Sequence, residues 1–153
     1  MEFKKMFSVL FAVTLTLSIS QSAFAARDYG DSIQTAIDLD INGNNHQVDL
    51  DNEDIDFYKI VNNTGGDKRV RLELKNVKRD FPDETPIINF DMLIICPDKY
   101  GDRQVYAPTD RGIAGLDYYT ITVPNGETAY VEVYGHDVHS YGESYQIDLK
   151  SYN

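Results

Sequence analysis

Apolar and polar residues alternate along most of this chain with a period of two. Val70, Leu72 and Leu74 share one face, while Arg69, Arg71, Glu73 and Lys75 share the other. Val131 and Val133 oppose Tyr130, Glu132 and Tyr134, and Ile147 and Leu149 oppose Gln146, Asp148 and Lys150. Successive side chains of a strand point to opposite faces, so this period predicts strands with one buried and one wet face, as in antiparallel sheets. Strand-like runs separated by Gly, Asn, Asp and Pro are expected at 47–50, 55–61, 68–77, 87–96, 103–107, 116–123, 127–134 and 144–150. Helical periodicity is confined to 32–37, enough for a single turn. Ile41-Asn42-Gly43-Asn44 reads as a plain turn, and Pro124-Asn125-Gly126 as a hairpin turn between two of the runs. The fold class that follows is all-β, an antiparallel β-sandwich, jelly-roll-like, of about eight strands. There is no internal repeat or second domain.

The amino-terminal segment follows a different pattern. Lys4 and Lys5 precede an apolar and hydroxyl stretch over 7–19, and Ala23-Phe24-Ala25 forms an A-x-A site. This predicts a signal peptide over 1–25 and one domain over 26–153. The stretch is short for a membrane anchor and ends in a cleavage motif, so membrane insertion is not expected. No cysteine lies near the site, which excludes lipoprotein anchoring. The expected location is secreted: extracellular, or periplasmic if the source is Gram-negative.

Charge and cysteine content narrow the picture further. The formal charge is −11, and removing Glu2, Lys4 and Lys5 makes the remainder one unit more acidic. Such a chain is repelled by nucleic acid and by anionic membranes, so nucleic acid is not an expected partner. Cys96 is the single cysteine. A secreted domain without a disulfide is held by its core, or by core plus metal. Closing the run Met92-Leu93-Ile94-Ile95, Cys96 is expected to be a buried small hydrophobe.

Candidate chemistry concentrates in Asp51-Asn52-Glu53-Asp54-Ile55-Asp56-Phe57-Tyr58-Lys59-Ile60, where acidic residues crowd the entry of a strand. Asp54 and Asp56 lie two apart and point to one face in extended backbone. Two such charges repel unless a hard cation such as calcium, a backbone donor or water lies between them. One reading makes them calcium ligands; the other makes them strand-entry residues that bind nearby backbone N–H groups. Asp38-x-Asp40-x-Asn42-Gly43 matches the opening of an EF-hand loop, but Asn45 and Asp49 stand where that loop wants an aliphatic residue and a bidentate Glu. His136 and His139 fall in a loop without zinc-ligand spacing.

Tyrosine is abundant, 11 in all, and tryptophan is absent. Tyr130 and Tyr134 share a face with Glu132 between them. If exposed, they form a rigid aromatic surface suited to protein or glycan contacts; otherwise they pack under loops or against the second sheet. Tyr118 and Tyr119 alternate, so at least one is expected to be buried. No G-x-S-x-G, H-E-x-x-H, Walker or dinucleotide motif is present, so the chain is not expected to be an enzyme.

The ordered strand patterns resemble the bacterial pre-peptidase C-terminal domain family, which includes the collagen-binding domains of clostridial collagenases. Asp31-Ser32-Ile33-Gln34-Thr35-Ala36 is similar to that family's opening and Asp54-Ile55-Asp56-Phe57-Tyr58-Lys59-Ile60 to its D-x-D strand. Asp91-Met92-Leu93-Ile94-Ile95, the run from Ala129 to Gly135 and Tyr145-Gln146-Ile147-Asp148-Leu149 resemble its later strands. The resemblance implies a non-catalytic jelly-roll sandwich, often calcium-binding, in secreted bacterial proteins. It also implies a calcium site in which an acidic segment with Asp28 and Asp31 folds back onto Asp54 and Asp56. The family favours Glu at the place of Asp28. In the collagen-binding relatives tyrosines on a sheet face bind the ligand, which points to Tyr130 and Tyr134. Family members usually trail a peptidase domain, and this chain carries no peptidase signature.

Together these features predict a secreted, non-catalytic, calcium-stabilised module that binds an extracellular protein or polysaccharide. The alternative is a trans-acting partner of a secreted peptidase, as inhibitor, chaperone or targeting subunit.

Overall fold

The computed structural model describes residues 30–49, 55–78, 89–136 and 143–152, and within them the alternating runs form two sheets. The strands are β1 (Ile37–Asp38), β2 (Asn44–Asp49), β3 (Ile55–Val61), β4 (Lys68–Lys78) and β5 (Asn89–Pro97). They continue as β6 (Arg103–Tyr106), β7 (Leu116–Val123), β8 (Thr128–His136) and β9 (Glu143–Tyr152). All eight expected runs become strands. The addition is β1, two residues long, which pairs in parallel with β3. The signal segment 1–25, Asp28, Asp54 and the loop residues Asp137 to His139 lie outside the described residues.

One sheet has the order β1-β3-β8-β5-β6 and the other β2-β9-β4-β7. Apart from the short β1, this is the interleaved arrangement of a jelly roll, in which most connections cross from one sheet to the other. The expected all-β sandwich is therefore the observed fold.

Burial explains the pairing of the layers. Along β3 and β5 every second residue is buried, and the same holds for Ala129, Val131 and Val133 on β8. Opposite them stand Val70, Leu72 and Leu74 of β4, Ile121 and Val123 of β7, and Ile147 and Leu149 of β9. Fully burying one such side chain stabilises by about 1.5–3 kcal/mol, and a one-residue slip would turn a whole row into water. This row-by-row burial fixes the register.

The turn at Pro124-Asn125-Gly126 is a correction to the hairpin expected there. It is tight: Gly126 has φ 84°, and Glu127 N donates to Pro124 O at 3.1 Å. Yet β7 pairs with β4 and β8 pairs with β3 and β5, so the turn passes between sheets instead of closing a hairpin. Asn62, fully buried, makes that crossing possible. Its backbone accepts from Gly126 N at 2.7 Å and donates to Glu127 O at 2.9 Å. Its side-chain amide donates to Val123 O at 2.8 Å and Gly66 O at 2.9 Å. The exposed ends of both sheets are thus tied at one corner.

Candidate functional site

Asp56 occupies a core position. It is in phase with Tyr58 and Ile60 on β3 and is 4% exposed. Tyr145, on β9 of the other sheet, donates its hydroxyl to Asp56 Oδ2 at 2.5 Å. The Tyr58 hydroxyl lies 2.5 Å from that of Tyr145, with the two rings edge to face. Burial above all pushes both tyrosine hydroxyls upward, and the neighbouring Asp56 charge adds to it. They stay protonated at neutral pH and serve as donors, so this trio is a polar strut between the sheets.

The segment before β1 does lie against β3. Phe57 N donates to Gly30 O at 2.6 Å, and a methyl group on Gly30 would come 3.3 Å from Asp56 Oδ1. With φ at 109°, Gly30 adopts a backbone that other residues rarely do. Asp31 next to it is exposed. Of the four carboxylates expected to share a cation, Asp28 and Asp54 fall outside the described residues.

Among the described residues, the group of carboxylates gathered closely enough to hold a metal is a different one: Asp91, Asp110 and Asp117. One oxygen of each lies within 4.8 Å of the others. Asp91 comes from β5, Asp110 from the β6–β7 loop and Asp117 from the start of β7, at an inward position in phase with Ile121 and Val123. They line a cavity of about 170 Å³ with Met92, Ala107, Pro108 and Tyr134.

Local hydrogen bonds shape this loop. Arg111 N donates to Asp117 Oδ1 at 2.8 Å and Gly112 N to Asp110 Oδ1 at 2.6 Å. Asn89 Nδ2 donates to Asp110 Oδ1 at 3.1 Å. Buried Asn76 donates to Ile113 O at 2.9 Å and accepts from Phe90 N at 3.0 Å, pinning the loop to the start of β5. Burial raises the Asp117 carboxyl, the Arg111 N–H opposes that, and the charges of Asp110 and Asp91 add to the rise. A hard divalent cation matches this oxygen-only donor set and would relieve the repulsion. None of the three was a candidate ligand from sequence, although Asp117 alternates in phase with Tyr119, Ile121 and Val123.

The outer face of the five-stranded sheet carries the second expected feature. Tyr130 and Tyr134 point away from the core, opposite Ala129, Val131 and Val133, and both are half-buried. Register sets Lys59, Tyr130 and Ile95 in one row and Phe57, Glu132 and Leu93 in the next. A third row is Ile55, Tyr134 and Asp91, so the aromatic face borders the acidic cavity. Val105, paired with Ile95, is 64% exposed. Burial raises the Tyr134 hydroxyl, with the charges of Asp91, Glu132 and Asp110 behind it.

Cys96 is buried and free, as its sequence position suggests. Burial, and then the Glu127 charge, push its thiol up to about 11. Tyr119 stacks on Tyr106 against the core at 5.2 Å while Tyr118 stays exposed. Among the described residues no helix is long and apolar enough to cross a membrane.

No family model matches the chain, and no curated protein matches it. Among solved structures it is similar to Aeromonas hydrophila PliG, a periplasmic inhibitor of g-type lysozyme, at 8% identity over 76% of this chain and 97% of that one, with a TM-score of 0.44. It is likewise similar to Salmonella Typhimurium PliG, also a periplasmic inhibitor of g-type lysozyme, at 11% identity, covering 76% of this chain and 100% of that one, TM-score 0.42. At such identities and TM-scores, nothing that these proteins bind or inhibit is carried over to this chain.

Proposed function

We propose that the chain is a secreted, non-catalytic β-sandwich module that binds an extracellular protein through the outer face of its five-stranded sheet, with calcium as a structural ion. The observation that carries this reading is the register across β3, β8 and β5. It lays Phe57, Tyr130, Tyr134, Leu93 and Ile95 side by side on a face turned away from the core. Apolar and aromatic residues on the wet side of a sheet, interrupted by single charges such as Glu132 and Lys59, have the composition of a protein contact with a desolvated centre. Tyrosines on strands add contact area at little entropic cost. Such a module acts in trans, and inhibition or targeting of a secreted peptidase is one form that this takes. The ordered strand patterns that resemble the pre-peptidase C-terminal domains are in keeping with this reading.

Calcium belongs to the reading through Asp91, Asp110 and Asp117. They supply oxygen ligands beside Tyr134, and a cation there would hold the 107–115 loop at the border of the aromatic face. The Asp28, Asp31, Asp54 and Asp56 set is the other proposed place.

The test is retention of partners from the native culture fluid on the immobilised protein. A protein retained by the parent chain, but lost on Tyr130→Ala plus Tyr134→Ala and kept on Tyr100→Ala, fits the proposal. Tyr100 is 77% exposed and lies off this face, so it controls for loss of any surface tyrosine. Equal retention by all three proteins would show that the face is not the contact. Retention on collagen or chitin that depends on the same two tyrosines would replace the protein partner by a polymer.

A further inference from the structure

We propose that the outer face of the four-stranded sheet is a second binding surface, one that takes an acidic polysaccharide. In a chain of formal charge −11, five of the 14 lysines and arginines are gathered there: Arg69, Arg71, Lys75, Arg111 and Lys150. Arg69, Arg71 and Lys75 alternate out of phase with the buried Val70, Leu72 and Leu74, so they lie in a line on one side of β4. At strand rise the first two are about 7 Å apart and the line is about 20 Å long. Lys150 stands beside Arg71 across the β4–β9 pairing, and β4 is an inner strand of its sheet. The cations therefore occupy the middle of the face.

Among the described side chains of this face, the acidic groups are already engaged. Glu73 has a side chain only 7% exposed and is bracketed by Arg71 Nε at 2.7 Å and Lys150 Nζ at 2.5 Å. Asp148 accepts from Gln146 at 3.0 and 3.1 Å. With those two counted, and with Asp49 at the register position opposite Ser144, the five cations still outnumber the acidic residues of this face. A linear polyanion laid along β4 would meet a field opposite to that of the whole protein, which orients it onto this side.

The arginines are also held in place. The Arg71 guanidinium sits 3.8 Å from the centre of the Tyr118 ring, and that of Arg111 sits 4.7 Å from it. Arg111 Nη2 donates to the Tyr118 hydroxyl at 3.1 Å. Arg69 lies over the Tyr152 ring at 5.9 Å. Stacked guanidinium groups lose less freedom on binding and offer forked donors to carboxylate or sulfate. Thr120 and Thr122 pair with Arg71 and Arg69 and add hydroxyls along the flank.

The chemistry of the face selects among anionic partners. A protein contact needs an apolar centre, and on this side the exposed Tyr118 and Tyr152 rings lie against guanidinium groups while Leu116 stands among polar residues. A single-stranded nucleic acid needs free aromatic platforms, and the Tyr118 ring already has two guanidinium groups against it and the Tyr152 ring one. A sugar polymer carrying one acidic group every residue or two requires neither. This surface is on the opposite side of the sandwich from Tyr130 and Tyr134, so the two contacts can be made together.

The experiment uses the purified protein on immobilised heparin and polygalacturonate, with polyglutamate and an oligonucleotide in parallel. Retention on at least one polysaccharide at low salt is expected, with salt-dependent elution. Arg69→Glu plus Lys75→Glu, both at exposed positions and neither in the ion pairs of Glu73, is expected to weaken binding about tenfold or more and to flatten the salt dependence. Lys99→Glu, in the exposed loop after β5 and outside both faces, changes it little. A thermal melt checks the fold of each variant, and Arg69→Gln replaces the double variant if that one does not fold. No retention on either polysaccharide overturns the proposal. So does equal weakening by Lys99→Glu, or binding to polyglutamate or the oligonucleotide in place of the polysaccharides.

Discussion

Tyr145, on β9 of one sheet, donates its hydroxyl to the buried carboxylate of Asp56, on β3 of the other, at 2.5 Å. The two residues are 89 apart in sequence, and the bond joins the layers inside the core. A buried carboxylate needs a donor far more than an exposed one does. Phe90 packs on the same Tyr145 ring with centroids 5.4 Å apart, so the hydroxyl is aimed by packing.

Tyr145→Phe keeps the ring and removes that donor. The expected loss of stability is about 1–3 kcal/mol, read as a lower urea midpoint at unchanged slope. A midpoint unmoved by the substitution would show that the bond contributes nothing net. The alkaline limb should change as well. Tyr58 and Tyr145 titrate higher in the folded chain than their ordinary value of 10.0, so the folded state holds protons that the unfolded state has released. Their stabilisation is full below that value and is lost as the pH climbs above it. The parent should therefore unfold in alkali more steeply than Tyr145→Phe.

This strut shows how far local pattern reaches. Alternation places Asp56 in phase with Tyr58 and Ile60, and that same parity gives its carboxylate a core position. The strands were legible because each buries one row of side chains, and a row is written within ten residues. Sheet membership was not. Pro124-Asn125-Gly126 specifies a reversal, but whether the next strand joins the same sheet depends on Asn62, which is remote in sequence. The acidic cavity was harder still. Asp91, Asp110 and Asp117 meet only because β5, the loop after β6 and the start of β7 converge, and no spacing encodes that convergence.

Asn62→Ala tests the corner. Its amide donates to Val123 O and Gly66 O, and its Oδ1 accepts from Thr64 N at 3.1 Å and Thr64 Oγ1 at 2.8 Å. Alanine leaves buried backbone groups without these partners, for an expected loss of about 1–3 kcal/mol. Asn62→Asp keeps the acceptor and removes the donors, so it should also destabilise. Hydrogen exchange at Gly126 is expected to rise in both variants, and at Thr64 in Asn62→Ala, which removes its acceptor. Unchanged protection at these amides would mean that the corner holds without the side chain.

Cys96 offers a probe of opening. With the thiol pushed up to about 11 and its Sγ buried 3.6 Å from Thr122 O, the thiolate is scarce at neutral pH. A thiol reagent at about pH 8 should label the folded protein far more slowly than the unfolded one. Labelling should quicken with urea along the same curve as circular dichroism. The sign of its linkage follows: the raised value adds stability below the ordinary 9.0 that is lost as the pH rises toward about 11. Rapid labelling of the native protein would contradict the burial.

The acidic cavity yields the prediction with the most distinctive sign. Burial, with the charges of Asp110 and Asp91, holds the Asp117 carboxyl above its ordinary value against the Arg111 N–H. Its folded form therefore keeps a proton that the unfolded form gives up, and this contribution is full below 3.8 and lost as the pH rises through the folded value. At neutral pH without divalent cations, the ionised group works against folding. Asp117→Asn can still accept from Arg111 N, so in EGTA it should melt at or above the temperature of the parent. Calcium should reverse the order. At about a hundred times its Kd a native-state ligand adds about 2.7 kcal/mol, which the parent gains and Asp117→Asn does not. Asp31→Asn, at an exposed position outside this cavity, should gain as the parent does. If calcium leaves the parent melt unmoved, the ion has no place in the fold. If Asp31→Asn loses the gain and Asp117→Asn keeps it, the ion sits at the strand-entry aspartates instead.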